Sequence, residues 1–304
     1  MDTARLLLDC TFPWSGSKTD LAVSVGADSL GLLLLALDAG LEVTVHHVNH
    51  HARAASDEDA AFVWSVCSER GVACVLYDVQ VDPGANFEAR ARAERRRVLP
   101  DGVLTGHTMD DLAETVLLNM LRGAGLDGLS PMVDDPTKPL VKVRRRDLAE
   151  VVGDAKLEAR HDETNDDLSF RRNRVRHQLL PLMCEIAERD VVPILARQAD
   201  VIYEDRAWLG LVGGPDVALA LGEVDCRDLR TWPLARRRHW LRAKLCFVDE
   251  FDDVHPPSTA ELERVERVIA GDVVATELQG GRRLSRRAQR LALEDDSTTL
   301  TKHG

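Results

Sequence analysis

Where the apolar run Leu21–Val25 ends, the chain places Ser24, Gly26, Asp28 and Ser29 at the head of a leucine-rich stretch. A strand-to-helix turn of this composition aims backbone N–H groups and a helix N-terminus at a shared anion, and the hydroxyls add donors. Asp28 in such a phosphate cradle would repel the anion unless a divalent cation bridges the two. Magnesium, held by one or two carboxylates and by phosphate oxygens, resolves that conflict. An ordinary turn with a capping serine has the same composition, so this segment alone leaves both readings open.

A second cluster follows the short apolar run Gly102–Thr105: Gly106, His107, Thr108, Asp110, Asp111, Glu114 and Thr115. Leu112, Ala113, Val116, Leu117, Met120 and Leu121 recur at helical spacing, and Gly123 supplies a stop. Asp110 and Asp111 then share the first turns of a helix with Glu114, at spacings that bring carboxylates together. Like charges so placed need a cation or a positive dipole, which points to metal or nucleotide binding. A capped amphipathic helix with an acidic first turn is the competing reading. Further on, Arg171, Arg172, Asn173, Arg174, Arg176 and His177 concentrate donors whose fork geometry suits phosphate oxygens. His46 and His47 fall on opposite faces of a strand, with no Cys or HExxH pattern beside them, so a metal site there is disfavoured. His50 reads as a substrate-pocket residue at a strand end.

These residues need a frame to hold them. The first half alternates strand and helix: Leu21–Val25, Ser29–Asp38, Val43–Val48, a helix from Ser56 to Gly71, Val72–Val79, Asn86–Val98 and Gly102–Thr105. Repeats of this length predict an α/β fold with a doubly wound parallel sheet, which puts ligands at the carboxyl ends of the strands. From about Asp147 the pattern becomes helical, with Arg146–Val152, a polar stretch Arg160–Arg176 and a long helix from Leu179 to about Trp208. Gly210, Gly213, Gly214 and Pro215 suggest a linker. Beyond it, helices near Pro233–Leu245 and Ser258–Ile269 and a hairpin at Gly280-Gly281 predict a small α+β C-terminal domain. The expected domains are 1–212 and 213–304.

Composition bounds the function. The formal net charge is −12, which by itself argues against a nucleic-acid partner. Basic clusters at Arg90–Arg97, Lys142–Arg146, Arg171–Arg176, Arg236–Arg238 and Arg282–Arg290 qualify that, because screening over about 8–10 Å makes only nearby charges matter to a phosphate. Solvated helix faces would look the same. The six cysteines are scattered without a CxxC pair, against a zinc knuckle or disulfide framework. No apolar run approaches the ~18 residues of a membrane span, and no secretory signal is recognisable, so a cytoplasmic location is expected.

Taken in order, the motifs resemble the bacterial tRNA(Ile)-lysidine synthases, a branch of the N-type ATP pyrophosphatases. The family's phosphate loop Ser-Gly-Gly-x-Asp-Ser is matched by Ser24–Ser29 except at Val25, and its His-Val-Asn-His by His47–His50. Gly-His-x-x-Asp-Asp-x-x-Glu-Thr is complete from Gly106 to Thr115. Similarity continues through Arg122, Pro139 to Arg144, and Asp162 to Arg176, covering roughly positions 20–205. The resemblance implies ATP and magnesium as cofactors, with L-lysine and the minor isoleucine tRNA as partners. No membrane partner is implied, and a homodimer is compatible with it. It implies an adenylylated wobble cytidine that lysine then converts to lysidine.

By motif position, Asp28, Asp111 and His107 would be catalytic, with Asp28 on magnesium. Ser24, Val25, Gly26, Ala27, Asp28, Ser29, His47 and Asn49 would bind ATP. His50, Asp110 and Glu114 would line the lysine and cytidine pocket, and Arg92, Arg122, Arg171, Asn173, Arg174 and Arg176 would contact tRNA. Departures are Val25 for glycine, Arg96 and Phe170 for tyrosine, and Lys138 for arginine. Val25 fits only with a negative φ. The alternatives are a non-catalytic tRNA-binding paralogue, motivated by Val25, and another N-type pyrophosphatase such as a tRNA thiolase. The missing CxxC pair counts against the latter.

Overall fold

The computed structural model describes residues 3–49, 56–80, 87–160, 166–212, 219–249 and 254–294. The chain divides into two units, one of residues 1–122 and 127–203, the other of 123–126 and 204–304. No helix among the described residues is long and apolar enough to cross a membrane.

The first unit is built on four parallel strands, β1 (Lys18–Ala22), β2 (Glu42–Asn49), β3 (Ala73–Asp78) and β4 (Leu104–Thr105), in the order β3-β2-β1-β4. Leu21 is in register with Val45 on one side and Leu104 on the other. The winding runs outward from β1 through β2 to β3 and then crosses to β4. Its direction therefore reverses between β1 and β4, and that reversal opens a crevice beyond their carboxyl ends.

Helices connect the strands: α1 (Thr3–Leu7), α2 (Ala27–Asp38), α3 (Ser56–Glu69), α4 (Phe87–Val98), α5 (Met109–Leu121), α6 (Leu126–Leu129) and α7 (Arg145–Asp154). Helix α2 carries no polar stripe because it is enclosed on nearly every side: Leu30, Leu32, Leu33 and Leu35 are fully buried. Gly31 lets α7 approach, since a Cβ there would lie 3.0 Å from Leu148. The core joins Leu21, Val23, Leu30, Leu33, Val45, Leu104, Leu140 and Leu148.

The polar stretch ends in α8 (Arg171–Arg174), a π-helical turn over Val175–Leu179, and α9 (Leu180–Ala187). The long helix expected from Leu179 is broken. Glu188 adopts a left-handed conformation (φ 51°) before α10 (Val192–Val212) begins, with Pro193 in its first turn. Strand β1 starts and ends three residues before the expected run; Val23 still donates to the His46 carbonyl at 3.0 Å, but Val25 belongs to the loop.

The second unit packs α11 (Cys226–Thr231), α12 (Leu234–Leu245) and α13 (Thr259–Ala270) with a two-stranded ladder, β5 (Phe247–Val248) and β6 (Val254–His255), and an antiparallel sheet β7 (Ala275–Glu277), β8 (Arg283–Arg287) and β9 (Arg290–Glu294). Trp240, Leu241, Leu245, Leu262, Val265 and Leu284 form its core. The expected hairpin is present as β7-β8, turning at Gln279–Gly281. A reciprocal Ser258–Glu261 capping box starts α13. Gly213, Gly214, Pro215 and His50 lie outside the described residues.

Candidate active site

Two loops meet at the reversal point. After β1, the segment Ser24–Ser29 folds around the Ser29 hydroxyl, which accepts from the Ser24 N–H (3.0 Å) and sits within hydrogen-bond range of the Ser24 and Gly26 carbonyls (2.9 and 3.0 Å) and the Ser24 hydroxyl (3.0 Å). Gly26 stands at the N-cap of α2 without a side-chain cap, leaving the helix start open toward the crevice. Val25 avoids the left-handed region, is buried, and packs its side chain into the hydrophobic core. Its carbonyl accepts from the Arg160 N–H at 2.9 Å. The valine side chain therefore belongs to the core and not to the exposed surface of the loop.

After β4, Gly106 lies against this loop. A Cβ there would stand 2.8 Å from the Asp28 carbonyl oxygen and 3.1 Å from the Ser29 Cα. Thr108 caps α5 through a reciprocal box with Asp111, its N–H and hydroxyl donating to Asp111 Oδ2 at 2.9 and 2.7 Å. The carboxylates of α5 are met by arginines. Arg145 donates to Asp28 Oδ2 (2.9 Å), Asp111 Oδ1 (2.9 Å) and Glu114 Oε1 (3.1 Å). Arg172 donates to Glu114 Oε2 (2.9 Å) and Asp111 Oδ1 (3.0 Å). Arg176 grips both oxygens of Glu114 at 2.7 and 3.1 Å. Arg144 holds Asp110 with two bonds of 3.1 Å and also pairs with Asp190. Charge-assisted bonds of this density make the site rigid, because a buried carboxylate without its partner is costly.

The environment sets the charges. Burial alone would raise the Asp111 carboxyl, but Arg145, Arg172 and the Thr108 donors hold it down at about 2. Asp28 goes the other way: burial pushes it up, and Arg145 only partly offsets that. Its Oδ1 is buried with no hydrogen-bond partner. Burial lowers His107 from the usual 6.5 to about 4, so the ring is neutral at pH 7. The Thr105 hydroxyl can donate to the Thr137 carbonyl (3.2 Å) and lies 2.8 Å from His107 Nδ1. If the hydroxyl proton goes to that carbonyl, His107 carries its hydrogen on Nδ1 and presents a lone pair at Nε2.

Of the other expected residues, some are buried and some exposed. His47 is buried, its Nδ1 2.9 Å from the Val23 carbonyl ahead of the loop. Asn49 is buried and donates to Asp57 at the start of α3 (3.0 Å). Asn173 is also buried and donates to the Asp167 carbonyl, whereas Arg122, Arg171 and Arg174 are exposed. Arg92 lies on α4. The sequence singles out neither Arg145 nor Asp190, and gives Arg144 and Arg172 only as members of a motif and of a donor-rich run; a run of arginines carries no signal for which of them turns inward.

A cavity of about 400 Å³ adjoins the cluster, lined by Asp110, Glu114, Arg144, Arg145, Arg176 and Asp190 together with Leu180, Pro181, Cys184 and Val192. Among the described residues no group of three His, Cys, Asp or Glu side chains can hold a metal by itself. The orphaned Asp28 oxygen beside an open helix start nevertheless fits a magnesium ion that takes its remaining ligands from phosphate and water.

Residues 3–183 match the PP-loop domain family. The tRNA(Ile)-lysidine synthase of Nocardia farcinica is 32% identical over 283 residues, covering 88% of this chain and 86% of that protein. That of Gloeobacter violaceus is 34% identical, covering 75% of this chain and 76% of the relative. That of Solibacter usitatus is 36% identical over 64% of this chain, which spans only about half of that longer protein (48%). Among solved structures, the U34-tRNA thiolase NcsA of Methanococcus maripaludis superposes with a TM-score of 0.52 at 16% identity, covering 67% of this chain and 78% of that one, a likeness of fold alone.

Proposed function

The chain belongs to the tRNA(Ile)-lysidine synthase family of PP-loop proteins, and we propose that it joins L-lysine to the wobble cytidine of the minor isoleucine tRNA at the expense of ATP. In this reaction the carbonyl oxygen on the cytosine ring attacks the α-phosphorus, and the bond to pyrophosphate breaks. The lysine ε-ammonium gives up a proton, the amine so formed adds to the activated ring carbon, AMP departs with the former carbonyl oxygen, and the new nitrogen loses a second proton.

The observation that carries this reading is the convergence of Ser24–Ser29 and Gly106–Glu114 at the reversal point, close enough that Gly106 has no room for a side chain. The open start of α2 and the Ser24 and Ser29 hydroxyls receive the phosphates. Asp28 would hold magnesium, which neutralises phosphate charge when bound. The adjoining cavity, lined by apolar side chains and by carboxylates that are paired with arginines, is where the lysine would bind. His107, neutral and with Nε2 as acceptor, takes the proton released after amine attack. A base this weak suffices there because the nitrogen of the adduct is acidic.

The test is incorporation of labelled lysine into an unmodified minor isoleucine tRNA with ATP and magnesium. Incorporation with stoichiometric AMP and pyrophosphate is expected, and none from folded protein would overturn the reading. His107→Gln should still release pyrophosphate on tRNA while slowing lysine transfer about 10²- to 10⁴-fold, the usual worth of a positioned base. Equal loss of both steps would remove His107 from that role. The paralogue reading rested on Val25, whose side chain is turned into the core.

A further inference from the structure

Arg144, Arg145 and Arg146 are indistinguishable in sequence, and the fold gives each a different task. Arg144 pairs with Asp110 and Asp190, and Arg146 is 68% exposed. Arg145 enters the site. Its backbone N–H donates to Asp110 Oδ2 at 2.8 Å, anchoring the start of α7 to α5. Its side chain reaches Asp28, Asp111 and Glu114 at 2.9, 2.9 and 3.1 Å. A guanidinium is planar with fixed donor directions, so contacts to three carboxylates fix their mutual orientation as well as their charge. Two of those carboxylates belong to α5 and the third to the first turn of α2.

The consequence falls on Asp28. Its Oδ2 is committed to Arg145, while its Oδ1 is buried without a hydrogen-bond donor. An unpaired buried carboxylate oxygen is costly to keep. Oxygen is also the ligand a hard cation prefers.

We propose that Arg145 is a positioning residue for ATP-magnesium: by holding Asp28 Oδ2 against Asp111 and Glu114, it aims Asp28 Oδ1 at the cation that accompanies the phosphates. The inference rests on reading Ser24–Ser29 as an ATP-magnesium site. It predicts that geometry matters beyond charge, so that lysine at this position supplies neutralisation without the fork.

The experiment titrates the full chain with ATP, with and without magnesium, by calorimetry. Wild type, Arg145→Gln, Arg145→Lys and Arg146→Gln are compared, each first shown to melt cooperatively. Wild type should bind ATP more tightly with magnesium than without. Arg145→Gln should reduce that magnesium-dependent gain by about tenfold to a hundredfold, the worth of one or two charge-assisted hydrogen bonds, with much less change in metal-free binding. Arg145→Lys should lose part of the gain and Arg146→Gln none. Methylguanidinium should restore part of the gain to Arg145→Ala, which a purely structural defect would not allow. A folded Arg145→Gln with the full gain overturns the proposal. If that variant does not fold, an unchanged gain in Arg145→Lys overturns it instead. Wild type that binds no ATP would overturn the nucleotide reading itself, a distinguishable outcome.

Discussion

At the scale of single residues, Glu114 and His107 carry opposite burdens. Glu114 is fully buried and accepts from Arg145, Arg172 and Arg176. Removing it leaves Arg176 without its hydrogen-bonded carboxylate and takes one partner each from Arg145 and Arg172, so Glu114→Ala should destabilise the protein by about 3–5 kcal/mol in urea unfolding at pH 7. A loss under 1 kcal/mol (about the worth of an exposed pair) would mean the cluster relaxes freely. His107 is half-buried and neutral, its pKa lowered from 6.5 to about 4. Its protonation favours the unfolded chain. The stability it contributes is complete above pH 6.5 and is lost as pH falls toward 4. Unfolding free energies from urea titrations at pH 7 and pH 5 should differ less in His107→Gln than in wild type, by an amount on the order of 1–2 kcal/mol. Asp111, held at about 2, keeps its charge throughout that window.

At the scale of elements, the site depends on how closely two backbone segments approach. Gly106 ends β4 beside the loop, and an added Cβ would meet Asp28 backbone atoms at 2.8 and 2.9 Å. Backbone yields less readily than a side-chain tip, so Gly106→Ala should cost about 1–3 kcal/mol and weaken ATP binding in parallel. Unchanged stability together with unchanged ATP affinity would show that the contact is looser than the distances state. The π-helical turn Val175–Leu179 follows directly on α8. Such bulges often occur at functional sites, and this one carries Arg176 just past Arg172, both on Glu114.

At the scale of the molecule, a chain of net charge −12 is expected to bind a polyanion through local positive charge. Arg171 and Arg174 are exposed beside the site, whereas Arg172 and Arg176 are committed to its carboxylates. Affinity for the minor isoleucine tRNA should therefore fall steeply with salt. Replacing Arg171 and Arg174 together by Gln should flatten the log–log slope by about 1–2. An unchanged slope would place the phosphate contacts elsewhere, with the second unit the next region to search.

The sequence by itself determined the alternation of β1 through α5, since buried strands and an enclosed leucine helix leave periodic, apolar signatures. It also marked the acidic helix start at Asp110 and Asp111 and the turn Ser24–Ser29, because caps and tight turns are local chemistry. It could not tell a phosphate turn from an ordinary one, nor say which way Val25 faces. It placed no break at Glu188, where a non-glycine residue takes a left-handed conformation. Only the tertiary structure chose Arg145 from three consecutive arginines and brought Arg172 and Arg176 onto Glu114, across 58 and 62 residues of chain. Pairing at that separation is set by how the helices dock, and no spacing rule within a segment encodes it.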